Sequence, residues 1–285
     1  MRIFLPSFLI FVLFTTVSRG DEPLELNVPT GLVAKNVRIP KDNPLTTGKV
    51  ELGKMLYFDA RLSRNNTISC ASCHDPKQGW SNGERFATGV DGQVGGRSAP
   101  TIINSAYLNA GSARFTKVPQ FWDGRAEDLE GQAIGPIENP IEMDLKLDAA
   151  VDKLNKIAGY RERFQEVFGT NVTADGIAKA IASFERTVLS ADAPIDRYLA
   201  GDEDALSEAA ARGWKVFSSG KKANGTACHK YPNFADGGYH SMGVGMDAGR
   251  PDLGRYAVTK LSGDKGAFKT PTLRELGLTE PYMHN

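Results

Sequence analysis

Residues 70–74 read "CASCH" and residues 224–229 read "NGTACH", and this near-repetition constrains the chain more than any other feature. Cys70, Cys73 and His74 match C-x-x-C-H, the attachment sequence of c-type haem. Two thiols three residues apart can add to the two vinyl groups of one haem, and the adjoining imidazole reaches the iron from the proximal side. A Cys70–Cys73 disulfide would leave His74 idle, and a zinc site would lack further Cys or His ligands nearby. In the second stretch Gly225 stands where the first cysteine would be, while Cys228 and His229 keep their mutual spacing. That pattern predicts a second haem bound through one thioether, with its iron on His229.

The compartment agrees with this reading. Residues 1–20, "MRIFLPSFLIFVLFTTVSRG", place Arg2 before an uncharged apolar run and small residues before Asp21, the pattern of a cleaved secretory signal. The run is too short for a comfortable membrane span. A periplasmic or otherwise exported chain with three cysteines cannot pair them all as disulfides, and haem attachment consumes the odd one. With 34 basic and 34 acidic residues there is no global field favouring nucleic acid or an anionic membrane.

The helical period dominates, and the class expected is all-α. "TGKVELGKMLYFDARLS" carries Val50, Met55, Leu56 and Phe58 at near-helical spacing. "TADGIAKAIASFERTVLS" offers Thr173 as N-cap with Ile177, Ile181, Phe184 and Val188 on one face. "LDAAVDKLNKIAGYRERFQEVFG" reads as two helices broken near Gly159, and "SEAAARGWKVFSS" as one capped by Ser207. Residues 75–100 are Gly-rich without apolar period and read as a long functional loop. "LGKMLYF" precedes CASCH as "RGWKVF" precedes TACH, and "SAPTI" follows the first as "KTPTL" follows the second. This self-similarity implies a duplicated unit. Its expected boundaries are a signal at 1–20, an extended lead at 21–44, one unit at 45–192 and a second at 193–285, joined near "SADAPIDRYLAGDED".

The stretches "CASCHDP", "GGRSAPTIINSAY", "FWDGRAEDLEGQAIGPIENPIEM", "FADGGYHSMGVG" and "FKTPTLRELGLTEPYMH" resemble the bacterial dihaem cytochrome c peroxidases and their MauG-type relatives, from about Leu45 to Asn285. The resemblance implies two cytochrome c-like haem domains, the first haem reacting with hydrogen peroxide and the second accepting electrons from a small cytochrome c or copper protein. It implies that Trp122 lies between the haems and that Gln132 and Glu142 lie over the distal face of the first. Cleaving an O–O bond heterolytically requires a proton moved between the two oxygens, a task a held carboxylate can perform. By composition alone Glu142 would be a solvated acid and Trp122 a core aromatic. The resemblance also implies a calcium ion bound by the carbonyls of Thr279 and Pro281, with Ser98 where the family has an Asn ligand. A homodimer is the oligomer entertained.

Two departures refine the expectation. Residues 75–100 contain no His or Met, so the first iron is expected to keep an open position, as in the subgroup needing no reductive activation. The family's sixth ligand to the second haem, Met in peroxidases and Tyr in MauG, lies beyond Asn285, leaving His240, Met242 and Met246 as the candidates within the chain. The leading expectation is a dihaem peroxidase. The alternatives are a MauG-type oxidase acting on a partner protein's side chain, a non-catalytic electron carrier, and a haem sensor.

Overall fold

A computed structural model describes residues 22–109, 117–247 and 249–285. The signal expected at residues 1–20 lies outside the described residues. Among the described residues the helices are α1 (Thr47–Tyr57), α2 (Cys70–Cys73), α3 (Leu129–Glu138), α4 (Leu147–Asn155), α5 (Ala158–Phe168), α6 (Ala174–Glu185), α7 (Pro194–Leu199), α8 (Glu208–Ser218) and α9 (Tyr256–Thr259). Two three-residue strands, β1 (Tyr239–Ser241) and β2 (Ala267–Lys269), pair antiparallel with Tyr239 opposite Lys269. No helix among the described residues is long and apolar enough to cross a membrane.

Side-chain caps set the helix starts. Thr46, Thr173 and Ser207 accept from the backbone N–H of Lys49, Gly176 and Ala210, each satisfying a donor the first helical turn leaves open. The break expected near Gly159 falls two residues earlier, at Lys156 and Ile157, and Gly159 sits inside α5. At the expected joint, Pro194 starts α7 instead of interrupting a helix, because a first-turn proline sacrifices no helical hydrogen bond.

The core lies where α1 crosses α6, with α3, α4 and α5 around them. Ile177, Ile181 and Phe184 of α6 bury against Leu52, Leu56 and Tyr57 of α1. The crossing is close because residue 53 is glycine: a Cβ there would lie 1.9 Å from the carbonyl oxygen of Ala180. The chain beyond residue 193 is built differently. Among the described residues its buried apolar side chains are Phe234 and Ala267, and α8 buries none. Together with residues between 81 and 122, this part of the chain lines an open cavity of about 620 Å³.

The duplicated pattern is visible in local geometry. The backbone N–H of His74 donates to the carbonyl of Cys70 at 2.9 Å, and that of His229 to the carbonyl of Gly225 at 2.8 Å. Thr101 in the first motif donates to the Gly79 carbonyl and accepts from Ile103 N–H; Thr272 in the second donates to the Asn233 carbonyl and accepts from Arg274 N–H.

Candidate haem sites

CASCH forms a single helical turn. At its start the Ser69 N–H donates to the Ser72 hydroxyl at 3.0 Å and the Ser72 N–H to the Ser69 carbonyl at 3.1 Å, and positions 70 and 73 share a helix face. Cys70 and Cys73 are half-buried free thiols, with burial pushing both up, Cys73 to about 11. His74 leaves the turn with its carbonyl accepting from the Tyr57 hydroxyl at 3.2 Å. Burial holds its imidazole below the ordinary value, while the nearby Trp80 and Pro100 carbonyls oppose that shift. His74 Nδ1 is buried without a well-formed hydrogen bond. A partly buried imidazole held below its ordinary value, with one ring nitrogen unpartnered, beside two thiols held above theirs fits haem attachment.

Glu142 reaches the same region through a reverse turn after α3. Asp128 caps α3, and Pro136 within it lacks the N–H that would bond the Gln132 carbonyl. The chain then folds back: Met143 N–H bonds the Pro136 carbonyl and Leu145 N–H that of Ile137. Glu142 accepts from the Asn139 side-chain amide at 2.6 Å. Burial holds the Glu142 carboxyl above its ordinary range, against the Arg125 charge and the Asn139 hydrogen bond. The loop after CASCH lies directly over this turn. Cys73 Sγ contacts the Thr88 carbonyl at 3.8 Å, and a Cβ on Gly89 would meet the Ile141 and Glu142 carbonyls at 2.2 and 2.5 Å. Glu142 lines a cavity of about 520 Å³ with Phe121, Arg125, Gly131, Gly135 and Asn139. Gln132 does not line it, and its Oε1 is buried without a partner. His74 lines neither cavity.

The second site gathers more of the expected residues. Gly225, Cys228, His229, Trp122, Ser98, Thr279 and Pro281 all line the 620 Å³ cavity. His229 Nδ1 lies 2.9 Å from the Phe234 carbonyl. A carbonyl only accepts, so Nδ1 carries the proton and Nε2 keeps its lone pair for a metal, the arrangement seen at metal-binding histidines. Phe121 lines both cavities, and Trp122, next in sequence, lines the second. This dipeptide sits on a turn where Gly124 is required: its φ is +69°, and a Cβ would lie 1.9 Å from the Tyr239 hydroxyl.

The candidate sixth ligands are differently placed. His240 lines the cavity but its Nε2 pairs with Asp236 at 2.8 Å, Met242 is 76% exposed, and Met246 is not part of the lining. Ser98 spends its hydroxyl proton on the Met283 carbonyl at 2.8 Å. With Thr279 and Pro281 it provides neutral oxygens without a carboxylate. Sequence reasoning missed three residues here. His284 is 3% exposed, stacks on Phe268 at 3.5 Å and has an unpartnered Nε2. Lys269 lines the second cavity. Glu185 is 3% exposed with an unpartnered Oε2, and burial pushes it up to about 8. For His284 the signal was available, since the chain has only four histidines.

Comparisons with known proteins identify the family of the chain. Residues 47–204 match the family model described as di-haem cytochrome c peroxidase. The chain is 42% identical over 253 residues to the methylamine utilization protein MauG of Methylophilus methylotrophus, covering 88% of this chain and 72% of that one. It is 40% identical to the cytochrome c551 peroxidase of Nitrosomonas europaea, covering 85% and 70%. A crystal structure of a MauG-like protein associated with microbial copper homeostasis superposes with a TM-score of 0.80 at 30% identity, covering 92% of this chain and 78% of that one. The paired Cys-His turns, the tryptophan on the rim of the second cavity and these matches have one common explanation: the chain belongs to the di-haem cytochrome c peroxidase family.

Proposed function

We propose that this protein reduces hydrogen peroxide to water, taking one electron at a time from a small exported electron carrier, a cytochrome c or a copper protein. Cys70, Cys73 and His74 would hold one haem c, and Cys228 and His229 a second, within units spanning about 45–192 and 193–285. Bound haem supplies the iron at which peroxide is cleaved and the store of oxidising equivalents. The observation that carries the reading is Glu142: a partly buried carboxyl with raised proton affinity, positioned by Asn139 and lining a cavity close to the turn that bears Cys73.

The chain's residues divide the work. Glu142, its proton affinity raised by burial, would relay a proton to the departing oxygen. Gln132 supplies an acceptor whose hydrogen-bonding capacity is unspent. Arg125, lying 3.5 Å over the Phe121 ring, keeps a positive charge near Glu142. Trp122 carries electrons between the two sites. Overall, two electrons and two protons convert one peroxide to two waters.

Calcium at Thr279 and Pro281 belongs to this reading as a weak site. A set without carboxylates sits at the low-affinity end of calcium binding, ~10⁻⁴–10⁻³ M. Export follows from residues 1–20 and the haem chemistry. A second reading, oxidation of a partner protein's side chain, is favoured by the 42% identity to a MauG. Steady-state turnover with peroxide and reduced cytochrome c, compared with peroxide-driven oxidation of a partner protein, separates the two. Absence of peroxide-dependent cytochrome oxidation would defeat the peroxidase reading.

A further inference from the structure

Lys269 is a partly buried cation with no ion-pair partner among the described residues. Its Nζ donates to the Pro119 carbonyl at 2.8 Å. Burial lowers its ammonium to about 8, with no nearby acid opposing the shift. Among the described residues lining the 620 Å³ cavity it is the sole Lys or Arg. Glu280 is the sole Asp or Glu there, and it forms no salt bridge with Lys269. A charge drawn partly out of water is stabilised by an opposite charge beside it, and a carboxylate bound in the cavity would supply one.

We propose that Lys269 is the anchor for a propionate carboxylate of the haem in the second cavity. The inference rests on the reading that a haem occupies this cavity. Haem is apolar except for two carboxylates, and the cavity matches that character, with apolar walls and one cation. The position matters as well. Lys269 is the last residue of β2, and its backbone N–H donates to the Trp122 carbonyl at 2.7 Å. One residue would thus tie the edge of the second haem to the backbone of the tryptophan between the sites. It would also supply a hold that does not depend on the cysteine missing at Gly225.

The test is the midpoint potential of the second haem, measured spectroelectrochemically in the intact protein, with covalent haem counted by mass spectrometry. A positive charge beside the haem favours the reduced iron, so Lys269→Met should shift the potential downward and Lys269→Arg should hold it near the original value. If Lys269→Met fails to fold, Lys269→Gln serves as the neutral variant. Two haems with an unmoved potential in the neutral variant would overturn the Lys269 assignment alone. One haem in the unsubstituted protein, with Cys228 free, would overturn both this inference and the reading beneath it.

Discussion

The indole Nε1 of Trp122 donates to the carbonyl oxygen of Ser98 at 3.0 Å. Ser98 in turn donates its N–H to the His284 carbonyl and its hydroxyl to the Met283 carbonyl. Every polar atom of Ser98 is therefore committed to holding Trp122 against Met283 and His284, which line the second cavity. A carbonyl accepts a hydrogen bond but does not take up a proton, so Trp122 can give and regain an electron with its N–H in place.

From that contact follows the expected behaviour of Trp122→Phe. Peroxide should still react at the first haem, because Trp122 lines only the second cavity. Steady-state oxidation of a cytochrome donor should fall at least tenfold, a barrier increase of about 1.4 kcal/mol. Stopped-flow and steady-state assays on the same sample check both halves, and unchanged turnover would remove Trp122 from the route.

Glu142→Gln keeps the shape and the Asn139 contact region but cannot carry a proton. The reaction with peroxide should slow by ~10²–10⁴-fold, the usual worth of a positioned proton relay, with haem content unchanged. Because burial raises its proton affinity, the wild-type rate should depend on pH above the ordinary carboxylate range, and the variant should lose that dependence. Wild-type speed in the variant would leave Glu142 a structural residue.

The residues 75–100 that follow CASCH hold no His or Met. The first iron should therefore be high-spin in the oxidised protein as isolated. Electron paramagnetic resonance checks this, and purely low-spin signals from both irons would refute it.

The sequence disclosed what periodicity and caps can disclose. α6 and α8 were legible because Thr173 and Ser207 announce their starts. α1 was legible as a helical stretch but not by its face, since Met55 and Phe58 are 43% and 44% exposed and Leu52 and Tyr57 join Leu56 in the core instead. α3 gave no such signal, since Gly131, Gly135 and Pro136 are poor helix formers and tertiary packing overrides them. Strands of three residues are too short to show alternation. The haem ligands were legible because a covalent motif has fixed spacing. Lys269 and Glu185 were not, because a Lys or Glu reads as solvated surface until the fold shows that one lines a cavity and the other is buried.

Glu185 gives a prediction about stability. Its carboxyl is raised from 4.5 to about 8 by burial, with Arg186 opposing and Glu130 assisting. The folded state then keeps a proton the unfolded chain releases, so this contribution is fully present below about pH 4.5 and is lost as pH rises through about 8. The full span is worth up to about 5 kcal/mol at 1.36 kcal/mol per pH unit. Denaturant unfolding between pH 5 and 9 should show the loss in wild type and a flatter profile in Glu185→Gln. Parallel profiles would mean Glu185 ionises in the folded protein as it does in the unfolded chain.

The last prediction concerns Gly225, which occupies the position of Cys70 in the second turn, as the matching hydrogen bonds of His229 and His74 show. Haem should attach there through Cys228 alone. His229 is already in the tautomer that leaves Nε2 free, and the apolar cavity beside it does not depend on a second tether. Mass spectrometry should count two covalent haems per chain and find Cys228 blocked to alkylation. The structure also predicts the consequence of restoring the cysteine. A Cβ at position 225 would lie 2.2 Å from the Phe217 ring, so that ring fills the space the missing side chain would need. Gly225→Cys should therefore destabilise the protein by about 1–3 kcal/mol through overpacking, and Phe217→Leu in the same chain should relieve it. A fully stable Gly225→Cys protein with an intact second thioether would show that Phe217 yields freely, and that the lost cysteine left no imprint on the packing around it.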